Sequence, residues 1–189
     1  MMPVAPLMIE HRLIERMIRV IGVELVRIEE TGKVNPEFVD VAVDFVRTYT
    51  DRCHHGKEED ILFRDLKMKP LTGELERILY ELIEEHRKGR EVVGQLVEAK
   101  EQYLRGESGA VSRIIGCLRF LVEFYPKHIE KEDRHFFLPC MGFFTMEEKD
   151  AMLEEEMDFD RNFVHVRYKA VVESAEGVPQ KPTAIDRDA

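Results

Sequence analysis

The sequence predicts an all-α protein: an antiparallel, up-down four-helix bundle carrying one additional C-terminal helix. Three observations point there. Long stretches repeat their apolar residues at helical spacing, while strand signals are few. Short connections bearing glycine or proline separate those stretches, as an antiparallel bundle requires. A histidine–glutamate pattern also occurs twice, once in each half, as two matching helix pairs would produce.

The first helix is expected from about Leu7 to Glu30, with Gly32 as its stop. Asn35-Pro36 opens the second: Asn caps free backbone N–H groups, and Pro is tolerated at the first helical position. That helix is expected to reach about Lys67. Pro70 and Thr72 separate it from the third, about Thr72 to Leu104. Gly106, Ser108 and Gly109 mark the next turn, and the fourth helix runs from there to Leu138, ending before Pro139. Thr145, with Glu148 three residues on, reads as a capping box that starts a fifth helix, to about Val172. Gly177, Pro179 and Pro182 then stand among polar residues. The organisation expected is a bundle over 5–140, an added helix packed on it over 145–173, and a loose tail over 174–189.

A chain of 189 residues suits one domain with a sizeable core. The formal net charge is -10, with no dense Lys/Arg run, which argues against nucleic acid as a partner, because that affinity comes from cations meeting phosphates. No apolar stretch reaches the ~18 residues of a membrane span. Met1 to Met8 lacks the charged region of a signal peptide, so no membrane association is expected. Cys53, Cys117 and Cys140 are odd in number, far apart and without CxxC spacing, which argues against a disulfide framework or a thiolate zinc cage. A cytoplasmic location fits.

The repeat carries the chemistry. Glu10-His11-Arg12 is followed, 43 residues after His11, by His54-His55-Gly56-Lys57-Glu58-Glu59 and then Leu62-Phe63. Glu85-His86-Arg87 is followed, 42 residues after His86, by His128-Ile129-Glu130-Lys131-Glu132-Asp133 and then Phe136-Phe137. Each half thus offers a lone His on one helix and a His-x-x-Lys-Glu-[Glu/Asp] run on the next. Residues i and i+4 share a helix face, so His54 with Glu58, and His128 with Glu132, each present an imidazole beside a carboxylate. A metal needs such convergent donors, and bundles supply them from facing helices. Imidazole plus carboxylate suits iron, zinc or manganese.

The flanking stripes set the direction of these side chains. His11 shares its stripe with Leu7, Ile14, Ile18 and Leu25; His86 with Leu75, Leu79, Leu82 and Val93; His128 with Ile114, Cys117, Leu121 and Phe124. On the second helix, the His54 stripe holds Val39, Val43, Val46 and Ile61, whereas the His55 stripe holds Asp44, Thr48, Arg52 and Glu59. At α-helical spacing the apolar stripe belongs to His54, which is therefore paired with Glu58, while His55 stays a lower-ranked candidate for the metal or for supporting a ligand. Six polar groups in an apolar core would cost several kcal/mol unless paired or bound to metal.

These residues resemble the hemerythrin-like, or HHE cation-binding, family over about residues 5–140. The most specific pieces are His54-x-x-Lys57-Glu58-Glu59-x-x-Leu62-Phe63 and His128-x-x-Lys131-Glu132-Asp133-x-x-Phe136-Phe137. The resemblance implies a four-helix bundle around two non-haem iron ions joined by an oxo or hydroxo bridge. His11, His54, Glu58, His86, His128 and Glu132 would be the ligands, with the glutamates bridging. Oxygen-carrying members place a second His four residues after the first on the third helix, where Arg90 stands here. One iron is therefore expected to lack a third imidazole, and the six-ligand pattern looks more like the bacterial iron–sulfur-repair and iron-sensing branches. The repair proteins usually carry an N-terminal cysteine-containing module, and the residues ahead of His11 hold no cysteine. His135, three residues after Glu132, and His165 on the added helix are further candidates for ligation or support. Glu59 and Asp133 are expected to orient ligand imidazoles.

The resemblance implies a protein that binds or senses O2, NO or peroxide, or handles iron. An enzyme that reduces peroxide or NO with a redox partner, or supplies iron for cluster repair, is an alternative. A zinc-binding or structural interaction bundle is a third. No nucleophile–base–orienter set or phosphate loop argues for another reaction class.

Overall fold

A computed structural model describes residues 2–160 and 165–177, with the side chains of 165–167 outside that description. The described residues form six helices and no strand. No described helix is long and apolar enough to cross a membrane.

Helix α1 spans Val4–Thr31 and stops where Gly32 takes a left-handed conformation (φ 66°), its N–H bonding the Ile28 carbonyl at 2.8 Å. Helix α2 covers residues 36–66. Asn35 caps it, its side-chain oxygen accepting from the N–H groups of Glu37 (3.1 Å) and Phe38 (3.3 Å). The rod opens as an α-helix over Pro36–Asp44, winds as a π-helix over Phe45–His55 and again over Glu58–Leu62, and closes with an α turn, Phe63–Leu66. Helix α3, Gly73–Leu104, starts at Thr72, whose hydroxyl accepts from the Leu75 N–H at 3.4 Å.

Helix α4 covers residues 110–140: α-helical over Ala110–Lys131, π-helical over Glu132–Phe136, then α-helical over Phe137–Cys140. It does not end before Pro139 as the sequence suggested. The π segment restarts the helix, and Pro139 falls in the first turn of the new stretch, where its missing N–H has no intrahelical partner to lose. Helix α5, Met146–Asp160, begins with the expected capping box: the Glu148 N–H donates to the Thr145 hydroxyl (3.2 Å), and the Thr145 N–H to the Glu148 carboxylate (2.9 Å). Helix α6 is His165–Ala175. The added C-terminal region thus contributes α5 and α6, and most of the tail expected over 174–189, from residue 178 onward, lies outside the described residues.

The buried apolar residues form two layers that establish the chain direction. In one, Val4 and Leu7 of α1 and Leu75, Leu79 and Leu82 of α3 meet Ile61, Phe63 and Leu66 of α2 and Phe136, Phe137 and Cys140 of α4. The first turns of α1 and α3 therefore sit beside the last turns of α2 and α4, an up-down arrangement. In the other layer, Ile21, Leu25 and Ile28 of α1 and Val92 and Leu96 of α3 meet Val39, Val43 and Phe45 of α2 and Ile114 and Leu118 of α4. Each such fully buried side chain contributes ~1.5–3 kcal/mol. Met152 of α5 joins the first layer, and Tyr168 and Val172 of α6 join the second. Between the layers lies a buried polar belt of His11, His54, His55, Glu58, His86, His128 and Glu132.

Candidate metal centre

Each bundle helix carries its donors where the apolar stripe passes from one layer to the other. On α1, His11 lies between Leu7 and Ile14; on α3, His86 lies between Leu82 and Val93, all buried. On α2 and α4, the π turns fall at the donor residues themselves. A π turn closes i→i+5 hydrogen bonds and advances less angle per residue than an α turn. Adjacent side chains can therefore face the same way.

The donors fall into two groups. His11, His54, Glu58 and Glu132 bring one ligand atom each within 4.8 Å of one another, and so do His55, His86 and His128. The two glutamates touch both groups. Glu132 Oε2 is 3.2 Å from His11 Nε2, and Glu132 Oε1 is 3.2 Å from His128 Nε2. Glu58 Oε1 is 3.4 Å from His54 Nε2, and Glu58 Oε2 is 3.4 Å from His86 Nε2.

The fit to metal rests on which atoms lack partners. The Nε2 atoms of His11, His54, His86 and His128, and all four carboxylate oxygens of Glu58 and Glu132, are buried with no hydrogen-bond partner among the described residues. Eight orphaned polar atoms converging at one level of an apolar core would be costly, and cations bound among them would satisfy them together.

The opposite nitrogens are all engaged. His11 Nδ1 lies 2.7 Å from Asp133, His54 Nδ1 3.0 Å from Glu10, His86 Nδ1 2.6 Å from Glu59 and His128 Nδ1 2.8 Å from Glu85. A carboxylate on Nδ1 fixes the tautomer and turns Nε2 towards a metal. The pattern closes around the bundle. Glu10 and Glu85, each preceding the lone His of its own helix, hold the imidazole of the next helix. Glu59 and Asp133, each following a central glutamate, hold the lone imidazoles. Glu10 is held in turn by Lys57, which also bonds Asp160 of α5 at 2.7 Å; Glu85 is held by Lys131 at 2.5 Å.

The local field follows from this crowding. Burial alone would push the His54 imidazole down, but Glu58 and Glu10 raise it to about 10. His128 is likewise opposed by burial and raised to about 9 by Glu132 and Glu85. Burial would raise Glu132, yet His128, His11 and His86 hold it well below the usual carboxylate range. His55 moves the other way: burial, then the neighbouring His86, His54 and His128, drive it well below the ordinary imidazole value. Protons and metal ions compete for these nitrogens.

All six residues named from the repeat, His11, His54, Glu58, His86, His128 and Glu132, come together. Glu59 and Asp133 lie against the Nδ1 atoms of His86 and His11. His55, the lower-ranked candidate on α2, also lies in the buried belt. It is 3% exposed, stacks on His86 with ring centroids 3.8 Å apart, and completes a three-histidine group. The α-helical period that assigned it to a polar stripe does not hold across Phe45–His55, where the rod is π-helical. A third imidazole thus stands beside His86 and His128 from α2, while at the Arg90 position the guanidinium pairs with Asp51 (2.7 Å) and Glu59 (2.8 Å). His135 is exposed and belongs to neither group; the π turn at Glu132–Phe136 carries it off the Glu132 face. The His165 side chain lies outside the described residues.

Sequence reasoning missed Glu10, Glu85, Lys57 and Lys131 as support, although the repeated Glu-His pairs and the Lys shared by both His-x-x-Lys-Glu runs were the signal. A third group, Glu10, Cys53 and Asp160, has metal-like spacing. The Lys57 ammonium already bonds Glu10 and Asp160, and burial and Glu10 push the Cys53 thiol up to about 12, so this group is neutralised without a metal.

A four-helix bundle with a buried belt of imidazoles and carboxylates defines a metal-binding bundle. The chain belongs to the hemerythrin family: the model of the hemerythrin HHE cation binding domain matches residues 2–138, which hold every donor named above. No curated protein and no solved structure matches the chain.

Proposed function

We propose that this protein holds two iron ions in its polar belt and binds O2, NO or peroxide there, as a sensor or buffer. His11 and His54 would serve one ion and His55, His86 and His128 the other, with Glu58 and Glu132 shared. The observation that carries the reading is the set of eight orphaned atoms, four imidazole Nε2 and four glutamate oxygens, turned towards one another in an otherwise apolar core.

The donor count favours iron over structural zinc. Three imidazoles plus an oxygen from each shared glutamate give the second ion five donors, more than the four of a closed tetrahedral zinc site. The first ion has two imidazoles and the same two carboxylates, which leaves it the more open to a small ligand. Bound iron supplies redox chemistry and open coordination; the protein's own residues supply orientation, through the carboxylates on each Nδ1, and exclusion of bulk water, through the two apolar layers.

The test is to purify the full chain without oxygen, count metals by mass spectrometry, then admit air while recording the visible spectrum. About two irons per chain with new charge-transfer bands supports the reading. Reversal on removing oxygen assigns a binding or sensing role, whereas irreversible change or iron release assigns an oxidant-consuming or iron-supplying one. A colourless protein that holds only zinc, or takes up no iron when offered it, overturns the di-iron reading.

A further inference from the structure

His55 differs from the other four imidazoles in one respect. Each of the others has Nδ1 on a carboxylate, whereas His55 Nδ1 is buried with no hydrogen-bond partner. Asp51 Oδ1 lies 3.4 Å from it, and the same oxygen already accepts from Arg90 Nε at 2.7 Å. A metal-binding histidine usually donates its second N–H to a carboxylate, carbonyl or water. Among the described residues no such acceptor stands at His55 Nδ1.

His55 and Asp51 both line a cavity of about 280 Å3 that reaches His86 on one side and carries Arg47, Arg52 and Arg90 around it. Arg90 is committed to Asp51 and Glu59. Arg47 and Arg52 are exposed, and among the described residues no hydrogen bond or ion pair engages either. Arg47, Asp51, Arg52 and His55, three to five residues apart from one turn of α2 to the next, all line this one cavity. A chain of net charge -10 thus places two uncommitted guanidinium groups beside a buried, unpartnered imidazole nitrogen.

We propose that this cavity binds a small oxyanion, such as nitrate or a short carboxylate, which bridges Arg47 and Arg52 and accepts a hydrogen bond from His55 Nδ1. Guanidinium groups favour planar oxyanions through paired, charge-assisted hydrogen bonds. The bound anion supplies to His55 the acceptor that Glu10, Glu59, Glu85 and Asp133 supply to the other four imidazoles. It therefore acts as an exogenous orienting group for the three-histidine side of the centre. Its link to the metal rests on the di-iron reading, but its binding to the cavity does not.

The test is isothermal titration calorimetry of nitrate and of formate into the metal-loaded full chain, with metal content measured on the same sample. Saturable one-site binding in the millimolar range is expected. In the double variant R47Q/R52Q the affinity should fall about tenfold or more, as the loss of charge-assisted bonds requires, with metal content unchanged. Both arginines are exposed and without described partners, so the variant should fold; its circular dichroism and melting temperature check this. A second variant, Gly89→Val, fills space without touching charge. A Cβ there stands 3.8 Å from the Tyr125 hydroxyl, and the bulkier side chain should also weaken nitrate binding. Absence of saturable binding would overturn the proposal. So would equal affinity in wild type and R47Q/R52Q, which would place the anion on the metal itself. If the di-iron reading fails, the sample shows no iron while the arginine-dependent binding persists, so the two failures are distinguishable.

Discussion

The Glu10 carboxylate on α1 lies 3.0 Å from His54 Nδ1 on α2, and both groups are buried. The equivalent pair in the second half, Glu85 and His128, is 2.8 Å apart. These bonds cross between helices, so they position the imidazole and tie adjacent rods together at the level of the donors. Replacing either carboxylate by its amide keeps the shape but removes the charge. Glu10→Gln and Glu85→Gln should each weaken metal binding by roughly tenfold to a hundredfold. Competition with a graded series of chelators measures this; affinities equal to wild type would show that the carboxylates do not tune the site.

His55 and His135 make a paired test. His55→Ala removes one of three imidazoles from its group, while His135→Ala alters an exposed ring outside both groups. Metal content should drop towards half in His55→Ala and stay unchanged in His135→Ala. The reverse result would restore the α-helical reading of this segment. His11→Ala completes the set by emptying the other side.

The sequence made the rods legible because their ends are chemically marked: Gly32 in a left-handed turn, Asn35 and Thr72 as caps, and the Thr145–Glu148 box. The six repeat donors were legible because their i,i+4 pairs survive a local change of winding. His55 ranked only below His54, because nothing in the alternation of apolar and polar residues records that Phe45–His55 takes π turns. Lys57 was missed for a different reason. A lysine among three acidic residues looks solvated, and its burial depends on α5, a helix some ninety residues further on, bringing Asp160 over it.

That covering breaks the symmetry of the repeat in a measurable way. Lys57 is 0% exposed and bonded to Glu10 and Asp160, whereas Lys131 is 26% exposed and bonded to Glu85 and Glu81. Removing one member of a buried charge network leaves the rest uncompensated, which costs roughly 3–5 kcal/mol. Removing a partly exposed partner costs about 1 kcal/mol or less. Lys57→Met should therefore lower the melting temperature far more than Lys131→Met. Equal shifts would mean that α5 does not cover the first half as described.

Helix α5 also brings in Glu156, 1% exposed, with neither carboxylate oxygen hydrogen-bonded among the described residues. Burial is the main cause that raises it to about 8, Lys57 opposing and Glu10 and Asp160 adding to the rise. The folded state thus keeps a proton that the unfolded chain releases near the ordinary carboxylate value of 4.5. Stability from this group is present below that value and is lost as pH rises through about 8, with a slope of at most ~1.4 kcal/mol per pH unit. In metal-free protein His54 adds a loss of the same sign, between its ordinary 6.5 and about 10. Glu156→Gln cannot ionise, so it should gain on wild type progressively between roughly pH 5 and pH 9 in denaturant melts of either form. The His54 loss should remain in the metal-free variant and disappear in the metal-loaded one, where the metal takes the place of the proton. A constant difference between Glu156→Gln and wild type at every pH would show that Glu156 is ionised throughout and not held neutral beneath α5.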